Sequence, residues 1–171
     1  MAEETVLADA AAYHPATRTW RQLAPMPEPR AGATATWTGT EVVVVGGYGP
    51  TGSMRQLYSD GVAYNPSTNR WRHLPAMQVG RVNHTAVWTG RELLVWGGRT
   101  FRAGSWVTPP YGVAYDLASN RWSAMPVSPL RGRVGHVAMW TGAQMLIWGG
   151  NSVTGAETNF TDGAAYTIAP M

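Results

Sequence analysis

Trp37-Thr38-Gly39-Thr40-Glu41-Val42-Val43-Val44-Val45-Gly46-Gly47 spells one apolar hairpin, and the chain writes it three times. It returns between Trp88 and Gly98, and again between Trp140 and Gly150. Each copy has an apolar strand ending in Trp, a Thr-Gly turn, a second apolar strand and a Gly-Gly stop. The first glycine of the pair moves from Gly46 to Gly97 to Gly149, steps of 51 and 52 residues. A fixed period of this length marks a repeat architecture, so the unit to be explained is about a third of the 171 residues.

Outward from the hairpin, the rest of the unit also keeps register. Tyr13, Tyr64, Tyr115 and Tyr166 follow one another at 51 residues, as do Trp20, Trp71 and Trp122. The pattern predicts strands over 33–37, 41–45, 60–64 and 70–74, then over 84–88, 92–96, 112–115 and 121–125. A last set covers 136–140, 144–148 and 162–166, and an opening pair covers 9–13 and 19–23. Asn65-Pro66-Ser67-Thr68-Asn69 has turn chemistry, and Pro-rich stretches such as Ala24-Pro25-Met26-Pro27-Glu28-Pro29 cannot lie inside a sheet, since Pro lacks the ladder N–H. Strands such as 42–45 and 93–96 are apolar without alternation, as expected where both faces are covered.

Composition agrees and narrows the function classes. With 20 Gly and 12 Pro between short apolar runs, strands and turns are favoured over helices. There is no cysteine, which removes disulfides and thiolate chemistry. All 13 basic residues are Arg; they are scattered and the net charge is only +3, so nothing marks a nucleic-acid binder. No apolar run is long enough to cross a bilayer, and Met1-Ala2-Glu3-Glu4 opens acidic, without a secretory signal. A soluble chain of open compartment is expected.

A four-stranded unit with paired glycines and a later Tyr and Trp resembles the Kelch repeat, in its bacterial-type form of about 51 residues. The matching positions are Arg81, His84, Gly97-Gly98, Tyr115 and Trp122, with copies at Arg133, His136, Gly149-Gly150 and Tyr166. The first full unit has Arg30, Gly46-Gly47, Tyr64 and Trp71, but Ala33 where the His would be. The resemblance implies an all-β Kelch-type β-propeller, with the strand before the Thr-Gly turn innermost and Tyr and Trp packed between blades against the glycines. The whole chain, 1–171, is then one Kelch-repeat region: 9–27 the last two strands of a blade, 28–78 and 79–129 full repeats, and 130–168 a repeat without its fourth strand. Tyr13, Trp20 and their copies are structural repeat residues on this reading.

Of thirteen strands, the twelve from the Trp20 strand to the Tyr166 strand are three four-stranded blades' worth, too few to close a ring. Two explanations are open: a piece of a longer propeller, or two chains closing head-to-tail into a six-bladed ring. In the second, the Trp20 strand of one chain completes the blade of Tyr166 in the other. The Tyr13 strand is then surplus, which counts against the dimer.

No Ser-His-Asp order, His-Glu-x-x-His, phosphate-binding glycine loop or EF-hand loop is present. His84 and His136 share one repeat position, where a ring could turn them to its channel; a histidine satisfied by neighbouring backbone is the plainer expectation. No cofactor or metal is expected. Among Kelch enzymes, the galactose oxidase type needs a Tyr–Cys crosslink this chain cannot form, and no epimerase signature can be placed. In Kelch domains that bind peptides, one face is built from the loops before the innermost strand and after Gly-Gly. Here those positions hold Arg30, Arg81 and Arg133, then Tyr48, Arg99 and Asn151, with Phe101, Arg102 and Trp106 beyond. Arginine with aromatic neighbours suits a carboxylate or a sugar face. The three repeating arginines could equally serve their own blades, whereas loops 48–59, 99–110 and 151–161 differ from one another and are the better recognition candidates. A scaffold binding an acidic peptide or glycan is expected; a sugar-acting, epimerase-like enzyme or a ligand-free structural fragment are the alternatives.

Overall fold

The computed structural model describes residues 5–50, 57–152 and 158–168, so parts of the 48–59 and 151–161 loops lie outside the described residues. Every named element is a strand. β1 (Ala11–His14) and β2 (Thr19–Gln22) form a hairpin in which Tyr13 pairs with Trp20. β3 (Thr34–Trp37), β4 (Val42–Val45), β5 (Gly61–Asn65) and β6 (Arg70–Leu74) form an antiparallel sheet in that order. β7 (Thr85–Trp88), β8 (Glu92–Trp96), β11 (Val113–Asp116) and β12 (Arg121–Ala124) form the second, and β13 (Val137–Trp140), β14 (Gln144–Trp148) and β15 (Gly163–Thr167) a three-stranded third. One pair falls within the segment read as a loop: β9 (Thr100–Arg102) and β10 (Ser105–Val107) make a small hairpin between β8 and β11.

These sheets are the blades of a Kelch-type propeller whose ring is not closed. The strand before each Thr-Gly turn is innermost, with β3 beside β7 and β7 beside β13. The turn is tied by its own threonine: Thr38 Oγ1 accepts the Glu41 N–H at 3.1 Å, and Thr38 N–H donates to Glu41 O at 3.0 Å. Thr89 and Thr141 repeat this with Glu92 and Gln144.

The core lies between blades. Val43, Val45, Ala63 and Leu74 of the first blade pack with Leu93, Val95, Val113 and Tyr115 of the second. Leu94, Trp96, Ala114 and Met125 pack with Met145 and Ile147 of the third. Both faces of β4 and β8 are therefore covered, which is why their sequences lack alternation.

The paired glycines meet a different ring from the one expected. Tyr64 and Trp71 sit across from each other at the Thr-Gly-turn end of the blade, ring centroids 5.0 Å apart, and Tyr115 with Trp122 repeat this. The glycines are at the opposite end and face the next blade. A Cβ on Gly46 would come within 2.5 Å of Arg81 O and 2.8 Å of His84 Cε1, and one on Gly97 within 2.6 Å of His136 Cε1. Gly47 and Gly98 N–H groups donate to Arg81 O and Arg133 O at 2.8 and 2.9 Å. Side-chain-free backbone is needed there because the next blade's chain presses against it.

Candidate ligand-binding face

In a meander blade, the connection into the innermost strand and the loop after Gly-Gly emerge at the same end. They are stitched together in all three blades. Ala31 and Tyr48 exchange two backbone hydrogen bonds of 2.9 Å; Val82 with Arg99, and Val134 with Asn151, do the same. Tyr48, Arg99 and Asn151 thus hold equivalent, half-buried places at this end.

The three repeating arginines lie beneath that seam, turned into their own blades. Each sends Nη1 to the carbonyl of its own blade's first paired glycine: Arg30 to Gly46 at 3.2 Å, Arg81 to Gly97 at 3.1 Å, Arg133 to Gly149 at 2.8 Å. All three are buried, so each bonds its own blade before anything else. Asp60 Oδ1 lies 2.9 Å from Arg30 Nη2, and Asp162 holds Arg133 through both carboxylate oxygens at 2.8 and 3.2 Å. This pairing keeps the Asp162 carboxyl below its usual range. Arg81 differs: burial pushes its guanidinium below the usual value, and Tyr111 stands at the position of Asp60 and Asp162.

The residues of loop 99–110 make a platform at the same end. Ala103 and Gly104, both at positive φ, turn β9 into β10. The hairpin brings Phe101 and Trp106 edge-to-face at 5.4 Å and sets the Arg99 guanidinium 4.5 Å over the Trp106 ring. Arg102 is exposed beside them. An aromatic edge with two guanidinium groups can stack on a planar or sugar face and bind carboxylate.

The histidines sit between blades, each against a threonine of the preceding blade. His84 Nε2 shares a 2.9 Å hydrogen bond with Thr34 Oγ1 of the preceding blade, and His136 Nε2 one of 2.8 Å with Thr85 Oγ1. Their satisfying partner is a threonine side chain. Burial, with Arg81 nearby, lowers His84 to about 3; burial, with Arg133 nearby, lowers His136 to about 4. Both are neutral inter-blade struts near pH 7. Among the described residues no three His, Cys, Asp or Glu side chains converge as a metal group would need.

Residues 29–78 match the Kelch motif. Kelch-like protein 34 of Homo sapiens is 31% identical over 128 residues, which is 69% of this chain. The chain belongs to the Kelch-repeat family. It spans 19% of the length of that relative. Within the blades Tyr64 and Tyr115 are buried, while Tyr13 and Trp20 of the opening hairpin are exposed. The loop hairpin of the second blade lies in a loop whose sequence differs from that of its copies.

Proposed function

We propose that this Kelch chain is a binding scaffold whose loop end takes an acidic peptide or a polar glycan. The observation that carries this is the β9–β10 hairpin, where Phe101, Trp106, Arg99 and Arg102 gather on a structured loop above the buried arginines. A rigid sheet supporting a loop with an aromatic and cationic surface is the arrangement expected of recognition. Replacing Trp106 and Arg102 together by alanine is expected to weaken binding at least about tenfold in an acidic-peptide and glycan screen, an effect of one lost stacking and one lost charge contact. Near-UV circular dichroism should stay unchanged apart from the lost indole. Unaltered binding by the folded double variant refutes the site.

A second reading, closure of the ring by another copy, is favoured by a pair of coincident exceptions. Between blades, Thr34 meets His84 and Thr85 meets His136. The next threonine position is Val137, which is 63% exposed, and the histidine position of the first blade is Ala33. Both polar partners are replaced where the two open faces would meet, and such double replacement leaves no unpaired group. Trp20, 70% exposed, has a matching place: Trp71 and Trp122 indole N–H groups donate to Ala24 O and Pro75 O, and the same spacing leads to Pro126 O. A second copy, or further blades of a longer chain, can cover these faces. In the two-copy ring β1 and β15 compete for one strand position, so β1 must give way.

A further inference from the structure

Comparison of the three blades isolates one buried cation. Arg30 has Asp60, and Arg133 has Asp162, each on the residue just before the blade's third strand. The equivalent residue of the second blade is Tyr111. Arg81 is nonetheless as deeply enclosed, 2% exposed, and its Nη1 makes two hydrogen bonds, to Gly97 O at 3.1 Å and to Tyr111 O at 2.9 Å. Its Nε has no partner, and among the described residues no carboxylate pairs with it. A buried guanidinium without counter-charge carries a desolvation cost that the other two blades offset with an aspartate.

The aromatic roof over the arginine has changed as well. Tyr58 covers Arg30 at 4.2 Å and Phe160 covers Arg133 at 4.3 Å, each two residues before the aspartate. In the second blade that place is Pro109, and the ring nearest Arg81 is Tyr111 itself, at 5.2 Å. A cavity of about 210 Å³ lies here, walled by Arg81 and Tyr111 and otherwise mainly by Met77, Val79, Met125 and Val127. It opens among the connections into the innermost strands, the end at which the loop platform stands.

We propose that this cavity is a binding site for a carboxylate attached to a short apolar group, the carboxylate supplying from outside the counter-charge that Asp60 and Asp162 supply within their own blades. The acid group reaches the unpartnered side of Arg81, and the apolar part rests on Met77, Met125 and Val127. Charge-assisted bonds to arginine in a site shielded from water are the stronger kind. The space suits one group the size of an amino-acid side chain. A peptide carboxyl terminus and a free small organic acid offer the same chemistry. The proposal rests on the reading that this end of the blades receives ligands, and it gives that end a second, chemically defined subsite.

Thermal unfolding of the full chain tests it with four probes: 4-methylpentanoate, its amide, and Gly-Gly-Ala-Leu with a free or an amidated carboxyl terminus. The acids at millimolar concentration are expected to raise the midpoint by about 2 °C or more, and the amides by less than about a quarter of that. A response to the peptide acid alone assigns a peptide terminus, and a response to the small acid alone assigns a metabolite. Equal response to acids and amides, or none to any, overturns the site. Tyr111→Asp, which restores the aspartate of the other blades, is expected to raise the unliganded midpoint and abolish the acid response, while Tyr111→Asn retains it. If Tyr111→Asp folds and still responds to the acids as before, the proposal fails. If it does not fold, the acid–amide comparison on the unaltered chain decides. Because these probes bypass the β9–β10 platform, a Trp106 and Arg102 double variant that keeps the acid response separates failure of the platform from failure of this cavity.

Discussion

At the scale of single residues, the inter-blade struts make stability depend on pH. His84 and His136 are held neutral in the fold, at about 3 and about 4, against an ordinary value of 6.5. The unfolded chain therefore binds protons that the folded chain refuses, and stability is lost as pH falls below about 6.5, levelling only near the folded values. Each histidine contributes a slope of about 1.4 kcal/mol per pH unit inside that window. Urea unfolding at pH 7, 6 and 5 should show the midpoint falling, and His84→Gln should flatten the fall by about one proton's worth. A pH-independent midpoint would remove the histidines from the balance. Gly97 gives a second residue-level test. Alanine there meets His136 at 2.6 Å in a left-handed backbone with φ of +67°, so Gly97→Ala should cost about 2–4 kcal/mol, the sum of backbone strain and overpacking. Gly90→Ala, also left-handed but with nothing within 4 Å of the new Cβ, should cost about 1–2 kcal/mol by the same measurement.

At the scale of elements, each outer strand is latched to the blade before it. Trp122 Nε1 donates to Pro75 O at 2.8 Å, as Trp71 Nε1 does to Ala24 O at 3.0 Å. Trp122→Phe keeps most of the apolar ring and leaves that carbonyl without its donor, and should cost about 1 kcal/mol by urea unfolding. No loss would show that the carbonyl is served by water instead. The strand plan was legible because its signals are redundant: the Thr-Gly turn, the Gly-Gly stop and the Tyr-to-Trp spacing all recur. The β9–β10 hairpin was not. Its turn is built on Ala103 and Gly104 at positive φ, and alanine is an unusual residue there, so the stretch has no Asn-Gly or Asp-Gly signal to announce it. The place of the glycines at the next blade was hidden for a related reason. A Gly-Gly pair signals close approach of something, while the approaching groups, His84 at Gly46 and His136 at Gly97, are 38 and 39 residues further on.

At the scale of the whole molecule, the open faces set the behaviour in solution. Val137, Met139 and Trp148 lie on the uncovered side of the third blade, with Trp148 46% exposed where its counterpart Trp96 is enclosed. If a second copy covers them, light scattering should give a mass near twice that of the chain, and Val137→Glu should return it to the monomer by placing a charge opposite Ala33. A folded monomer across the accessible concentration range would refute closure by a second copy.

The sequence by itself determined the repeat and the order of strands within a blade, because these follow from local periodicity and from turn chemistry a few residues long. It also placed the Trp-Thr-Gly hairpin as the inner half of a blade. The tertiary structure decided what each repeating polar residue does. Arg30 and Arg133 meet their carboxylates only when strands about 30 residues apart lie side by side, and His84 meets Thr34 only when two blades are packed. The difference at Arg81 becomes visible through the same contacts: its neighbours in the chain look like those of its copies, and the missing counter-charge belongs to the residue before the third strand, where Tyr111 stands.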